Sequence, residues 1–598
     1  MYYKIANLLR RDVVRMTTAA GSGHPSSCLS CAEIMALLFF KHMRWDPKKY
    51  NNVENDEFIL SKGHAAPILY SCLKHAGAIH YDLMKLRQKD SPLEGHPMPN
   101  SLKWVKVATG SLGQGLSNGV GVALAAKKLK LRHRTYVLLG DSELAEGSVY
   151  EALQLAAYYN LKNLCAIVDV NRLGQTGETM HGHRLNEYKK IFSSFGWNAV
   201  VVEGHDVKQL DEAFLKAKKS DKPFVILART IKGKGLPFME DKNGWHGKPV
   251  PEEMLSEALN YLPESKMPKF NIKKPVNKKI LFAEKRLKNL TFPSSLATRK
   301  AYGMALANLA QADDSVVALD AEVSNSTYSI NVKQKKPKQF VECFIAEQNM
   351  VGMALGLSVK GFNVFCSSFA SFLTRAHDQI RMAALSGANM TIVGSHSGVS
   401  IGQDGASQMG LEDLAMMRAL PGSVVFYPSD AKSTEKIVYL CKKLKGIKYI
   451  RTTRADTFKI YRDKEVFKLG DFKVLRSSNN DKGVLIGAGI TLYECLKAYN
   501  ILNENGTNVA VVDLYCLKPL DEKKLKQFLR KHGKKCIVVE DHYAEGGMSD
   551  VVYKALANTD VKVKNLSVTK IPHSGTKQEN LKMQGIDGES IAKAFFKL

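Results

Sequence analysis

No stretch of this 598-residue chain approaches the roughly 18 consecutive apolar residues that carry a helix across a bilayer. The opening Met1-Tyr2-Tyr3-Lys4-Ile5 runs into a helical pattern and lacks the apolar h-region and small-residue cleavage site of a secretory leader. The expectation is a cytoplasmic protein with no membrane partner. A second paired cysteine motif is also missing. Cys28 and Cys31 form one C-x-x-C, but no other pair stands at zinc spacing, so the ten scattered cysteines read as buried free thiols in a reducing compartment. There is no low-complexity tract and no short-period repeat. Acidic residues are the scarce charge, 58 against 86 lysines and arginines, for a net charge of +28. The basic clusters at 127–134, 273–279, 333–338 and 531–535 are dispersed, and none interleaves aromatics as a base-stacking platform would. The surplus therefore reads as a solvated lysine-rich surface with a long-range pull on anionic small molecules, and nucleic acid is not expected as a partner.

What is present is an ordinary globular composition, 45% apolar, long enough for roughly three to five domains. Residues 1–262 alternate helical patterns with apolar strands, among them 135–140, 164–170 and 223–228, with a helix expected over 146–160. Residues 263–292 are rich in lysine and proline and read as a linker. A second segment, 293–456, offers strands at 316–319, 390–393 and 424–426. A third, 470–598, offers strands at 483–486, 509–512 and 536–539. Strands separated by helical patterns predict an α/β protein of three consecutive domains with mainly parallel sheets.

Two of these strands end in side chains suited to a ligand. Thr-Tyr-Val-Leu-Leu-Gly runs into Asp141, and Leu-Cys-Ala-Ile-Val-Asp-Val runs into Asn171 thirty positions later. An open α/β sheet places its ligand at the carboxyl ends of its strands, and an oxygen-liking divalent cation there can bridge protein to diphosphate. The residues around them, Gly140-Asp141-Ser142-Glu143-Leu144-Ala145-Glu146-Gly147 and Asn171-Arg172-Leu173, resemble the thiamine-diphosphate motif. Ser22-Gly23-His24-Pro25, Ser61-Lys62-Gly63-His64, Gly95-His96-Pro97 and Thr109-Gly110-Ser111-Leu112-Gly113-Gln114-Gly115 follow in the order found in transketolases. So do Ala346-Glu347-Gln348-Asn349-Met350 and Gly402-Gln403-Asp404-Gly405. The resemblance to transketolases runs nearly end to end and is nearest to the animal-type branch.

That resemblance implies a thiamine-diphosphate-binding fold for the first two domains and a transketolase C-terminal-like third. It implies thiamine diphosphate with Mg²⁺, for which Ca²⁺ or Mn²⁺ substitutes, the metal held by Asp141, Asn171 and the carbonyl of Leu173. It implies transfer of a two-carbon ketol unit from a ketose phosphate, such as xylulose 5-phosphate, to ribose 5-phosphate or erythrose 4-phosphate, through a thiamine-bound dihydroxyethyl fragment in the pentose phosphate pathway. It also implies a homodimer with interface active sites, in which Glu146 and Glu151 link the two sites. Glu347 matches the glutamate that activates the cofactor ring, for which a position sheltered from water is expected. Phe369 and Phe372 stand i, i+3 and are expected near one helix face; by resemblance Phe372 stacks on the aminopyrimidine. His24, His64, His96 and His246 sit beside glycine or proline or in polar turns, so exposure at loops is expected; the matching histidines bond sugar hydroxyls and move protons. Gly110, Leu112, Ser142 and Lys232 match cofactor contacts. Arg299, Ser326, His396 and Arg454 match contacts to the substrate phosphate, where a guanidinium fork suits phosphate oxygens. Asp404 matches an aspartate that reads a sugar hydroxyl.

Two departures stand out. Gln408 occupies a position where some transketolases have a histidine, and it cannot take a proton. Ser142 follows the metal aspartate where the family usually has glycine, and a left-handed serine there would carry strain of about 1–2 kcal/mol. Retained cofactor binding is expected, because Asp141, Glu143, Asn171 and Glu347 all remain. The alternatives are a catalytically impaired transketolase-like protein, or another thiamine-dependent ketol transferase such as dihydroxyacetone synthase or deoxyxylulose-phosphate synthase.

Overall fold

The computed structural model describes residues 1–598. The chain falls into two compact units: Met1–Leu281 with Val351–Gly361 and Leu385–Gly387, and Phe282–Met350 with Phe362–Ala384 and Ala388–Leu598.

The first unit is built on β1 (Glu57–Leu60), β2 (Thr135–Gly140), β3 (Leu164–Val170), β4 (Asn198–Glu203) and β5 (Phe224–Arg229). They form one sheet in the order β1-β2-β3-β5-β4, and every pairing is parallel. The central β3 is buried along its whole length, which is why its sequence is a continuous apolar run rather than an alternating one. Helices cover the sheet; Gly147–Tyr158 turns Val149, Leu153 and Ala156 inward. Gly140 pairs with Asp169, so Asp141 and Asn171 leave the sheet at the same carboxyl edge. Residues 263–292 carry no helix or strand beyond a single bridge between Glu284 and Asp313. All ten cysteines are free and buried.

The second unit holds two larger sheets and a ribbon of β6 (Ser295–Ala297) with β13 (Asp456–Phe458). One sheet joins β7 (Val316–Asp320), β8 (Phe340–Glu342), β9 (Asn363–Phe369), β10 (Met390–Ser395), β11 (Val424–Phe426), β12 (Ile447–Arg451) and β17 (Cys516–Lys518), in the order β17-β11-β12-β10-β9-β7-β8. The other joins β14 (Lys473–Arg476), β15 (Val484–Gly487), β16 (Ala510–Asp513), β18 (Lys535–Tyr543) and β19 (Lys562–Val568), in the order β14-β16-β15-β18-β19. Within these two sheets the exceptions to parallel pairing are β17 against β11 and β14 against β16. The α/β architecture with mainly parallel sheets is thus the observed one. A buried charge network joins the two sheets. Arg451, 0% exposed at the end of β12, donates to Asp413 at 2.9 Å and to Asp541 of β18 at 2.7 Å. Tyr427 also donates to Asp541, at 3.0 Å. Removing Arg451 would leave Asp413 and Asp541 buried without a countercharge, at a cost of about 3–5 kcal/mol.

One local expectation fails. Phe369 and Phe372 do not share a helix face: Phe369 ends β9 and Phe372 opens the short 3-10 turn Phe372–Ala376. Their rings still meet, stacked 5.0 Å apart and 7° from parallel, because the chain reverses between them.

Candidate active site

The carboxyl edge of the first sheet gathers oxygen ligands. Asp141 is buried, and its Oδ2 accepts from Arg172 N at 2.8 Å and from Thr179 Oγ1 at 3.2 Å. Asn171 turns its Nδ2 onto Asp169 Oδ2 at 3.2 Å, which fixes the amide and gives its oxygen the opposite direction. Asp169 is itself held by Ser30 at 2.6 Å, by Thr230, and by the fully buried Lys62. With the Leu173 carbonyl, Asp141 and Asn171 make an all-oxygen set of the kind that binds hard divalent cations. Burial first, and the charge of Asp169 second, push the Asp141 carboxyl up to about 6, and a nearby cation would favour its ionised form. The set fits Mg²⁺. The Leu173 carbonyl presently accepts from Lys232 Nζ at 2.6 Å; the same ammonium reaches the Gly174 carbonyl at 3.0 Å and His246 Nδ1 at 3.0 Å.

A tight loop lies beside this edge. Gly110 and Gly113 have φ of +130° and +82°. A Cβ at Gly113 would stand 2.5 Å from that of Glu146, and one at Gly110 would stand 2.9 Å from the His96 ring. Only glycine passes there, and Leu112 sits half-buried between them. Buried Glu143 pins the loop to β2, accepting from Gly113 N at 2.8 Å, from Gly140 N at 3.1 Å and from the Ser61 hydroxyl. The Thr109 hydroxyl beside it is buried with no partner, which fits a cradle that expects a polar ligand. Ser142 opens the 3-10 turn Ser142–Ala145 with a φ that is not positive, and its N–H bonds Asp141 Oδ1 at 3.0 Å. The strain of a left-handed serine is therefore absent.

Four histidines from distant parts of the sequence meet here. The ring centroid of His24 lies 5.2 Å from that of His64, 6.2 Å from His96 and 5.1 Å from His246; His64 and His246 are 5.3 Å apart. They are half-buried rather than exposed. Burial, then the neighbouring charges, holds His24 down to about 3, and burial and Lys232 hold His246 down to about 4. All four are neutral near pH 7, each with one ring nitrogen to donate and one to accept. His24 Nδ1 is buried without a partner.

The second unit brings together a different set. Arg299 Nη1 donates to the Ser326 carbonyl at 2.9 Å and approaches His396 Nε2 at 3.3 Å. His396 is buried at φ +57° and stacks on Phe369 at 3.7 Å. Burial, then Arg299 and Arg454, holds its ring down to about 3. Arg454 pairs with Asp404 at 3.0 Å. Gln408 ends the turn Ala406–Gln408, and its carbonyl accepts from Ser371 at 3.3 Å. Glu347 begins the helix Glu347–Val359, is 4% exposed, and lies 3.6 Å from Arg375, whose guanidinium sits over the Phe372 ring at 5.9 Å.

Comparison with known proteins gives these groups a frame. The transketolase thiamine-diphosphate-binding domain matches residues 2–301, the pyrimidine-binding domain 294–458, and the C-terminal domain 470–591. Human transketolase is 46% identical over 98% of this chain and 96% of its own length. The chain belongs to the transketolase family. Mouse transketolase-like protein 2 is 47% identical over 99% of the chain and 96% of its own length. The solved transketolase of Campylobacter jejuni superposes with a TM-score of 0.88 at 25% identity, covering 100% of this chain and 99% of that one. The family is one of transferases, and its thiamine-diphosphate-binding domains support that cofactor here.

Within this transketolase frame, four charged residues escaped sequence reasoning. Lys62 and Asp169 form the buried pair behind Asn171. A charge inside an apolar strand was the available signal for Asp169. Arg87, at φ +61°, donates to Ser22 Oγ at 2.7 Å and has Nε and Nη2 buried without partners. Its charge helps lower both His24 and His96, and a side chain at Gly95 would lie 3.1 Å from its guanidinium. Arg375, beside Glu347, carried no signal beyond its place in the turn that Phe372 opens.

Proposed function

We propose that this chain is an active transketolase, moving a two-carbon ketol unit between sugar phosphates with thiamine diphosphate and Mg²⁺, as a homodimer. The carrying observation is the convergence of His24, His64, His96 and His246, with Lys232 joining His246 to the carbonyl that completes the Asp141 and Asn171 oxygen set. Thiamine diphosphate, when bound, supplies the carbon nucleophile and electron sink for breaking and forming the C–C bond.

The chain's own residues carry the rest. Asp141, Asn171 and the Leu173 carbonyl would hold the cation, whose charge would neutralise the diphosphate. Gly110, Leu112 and Ser142 shape the backbone that approaches it. Glu347, sheltered from water, would hold or release the proton that the pyrimidine ring needs, and Phe372 would offer that ring a stacking face. The neutral histidines donate to and accept from the sugar hydroxyls, His24 and His246 taking the proton transfers that Gln408 cannot perform. Arg299, Arg454, Ser326 and His396 bind the phosphate end, and Asp404 takes a hydroxyl near the reacting carbon.

Turnover of xylulose 5-phosphate with ribose 5-phosphate, measured with and without thiamine diphosphate and Mg²⁺, tests the reading. Cofactor-dependent ketol transfer is expected; turnover of pyruvate instead would point to a different thiamine enzyme. A catalytically silent family member is the second reading. Ser142 is its support, and the absence of positive φ at that residue weakens it. Calorimetric titration with the cofactor and metal separates the two, since a silent member would show neither binding nor turnover.

A further inference from the structure

The first sheet has a second polar edge. At the amino ends of β2, β3 and β5, opposite the edge that carries Asp141, lies a groove of about 790 Å³. The two edges are separated by the length of the strands, roughly 20 Å at 3.3 Å per residue. The 127–134 cluster contributes Lys127, Arg132 and Arg134, the loop before β3 adds Lys162, and the end of the helix Val207–Lys219 adds Lys218 and Lys219. Asp221 is the one acidic residue of the lining. One of the basic runs, 127–134, is thus folded into a concavity with Lys162, Lys218 and Lys219.

Some of these cations serve the fold. Arg134 donates to the carbonyls of Lys162 at 3.1 Å and Ala217 at 3.3 Å, and Lys127 donates to that of Tyr159 at 2.7 Å. Arg132, Lys162, Lys218 and Lys219 have no side-chain hydrogen bond or ion pair. His133 in the same lining is 1% exposed, and neither of its ring nitrogens has a partner. A concave site where several like charges converge repels itself unless an anion is taken up, and its size falls within the range of small-molecule pockets. No Phe, Tyr or Trp lines it and the His133 ring is buried, so a base or nucleoside has no exposed ring to stack on.

We propose that this groove binds a small molecule carrying two or more phosphate groups, at a site separate from the Asp141 edge. Ammonium groups recognise such a ligand as point charges and set a requirement for charge number rather than shape. The inference does not rest on the ketol-transfer reading.

Isothermal titration calorimetry of the full chain with inorganic tripolyphosphate, in divalent-free buffer at physiological ionic strength, tests it. Saturable binding is expected in the wild type and in D141A. The K162E/K219E variant should bind at least about tenfold more weakly, K162Q/K219Q should fall between, and both should keep the wild-type melting curve. Four results would overturn the proposal: no saturable binding, binding untouched by K162E/K219E, binding lost in D141A, or orthophosphate binding as tightly as tripolyphosphate. Displacement of tripolyphosphate by a lower concentration of single-stranded RNA would also overturn it, in favour of a nucleic-acid surface.

Discussion

The first sheet and the seven-stranded sheet both gather their chemistry at the carboxyl edge, but they gather opposite kinds. After β2 and β3 stand an acid, an amide oxygen and a carbonyl, beside four imidazoles held neutral. After β10 and β12 stand His396 and Arg454, with Arg299 beside them. One edge suits a cation and the movement of protons; the other suits an anion. The same parallel-sheet geometry delivers both, because strand ends fix where side chains emerge and leave open which side chains they are. The division predicts that changes at the first edge and at Glu347 reduce turnover whatever the acceptor, whereas changes around Arg299 discriminate by phosphate.

The largest effect tests the proton-handling role of Glu347. Glu347→Ala should lower kcat by about a hundred- to ten-thousandfold with little change in melting temperature. A loss of folding in place of a loss of rate would assign Glu347 to structure. The next test is selective. Arg299→Ala should cut kcat/KM for ribose 5-phosphate about ten- to hundredfold, as expected for a charge-assisted hydrogen bond, and leave an unphosphorylated aldose nearly unaffected. Equal losses for both acceptors would erase the distinction between the edges.

A smaller effect concerns protons. The unfolded chain protonates its histidines near pH 6.5. The folded chain withholds protons from His246 until about pH 4 and from His24 until about pH 3. Their folded values are depressed, so the unfolded state binds more protons in between, and stability should fall as pH drops from 6.5 towards 4. NMR of ring protons should show these two rings flat from pH 7.5 to 5 while exposed histidines titrate. The smallest effect is at Ser142. Because its backbone is not left-handed, Ser142→Gly should change the affinity for thiamine diphosphate less than about threefold and cost about 0.4–1 kcal/mol of stability through the looser unfolded chain. A large gain in affinity would revive the impaired reading.

Much of this was legible in the residues. Apolar runs of six or seven residues ending in Asp141 and Asn171 read as buried parallel strands, and they are β2 and β3. The meeting of His24, His64, His96 and His246 was not legible from spacing, since convergence of positions so far apart is decided by tertiary packing; the family resemblance alone anticipated it. The Phe369 and Phe372 reading failed because an i, i+3 interval fits a helix face and a strand running into a turn equally well. Lys62 was missed because it looks like a surface charge until its partner 107 residues away is known, and Asp169 because its charge inside an apolar strand does not name that partner. The grouping of Lys127, Lys162 and Lys219 was likewise not legible, since a linear sequence separates them while the sheet's amino edge collects them.

The antiparallel strand Cys516–Lys518 has a consequence for how this chain tolerates shortening. It comes from the C-terminal segment, yet it hydrogen-bonds to β11 and so covers the flank of a sheet to which it does not belong in sequence. A product truncated near residue 465 would leave that flank bare, with unsatisfied amides ready to recruit a neighbouring molecule. The last segment thus keeps the β11 edge paired.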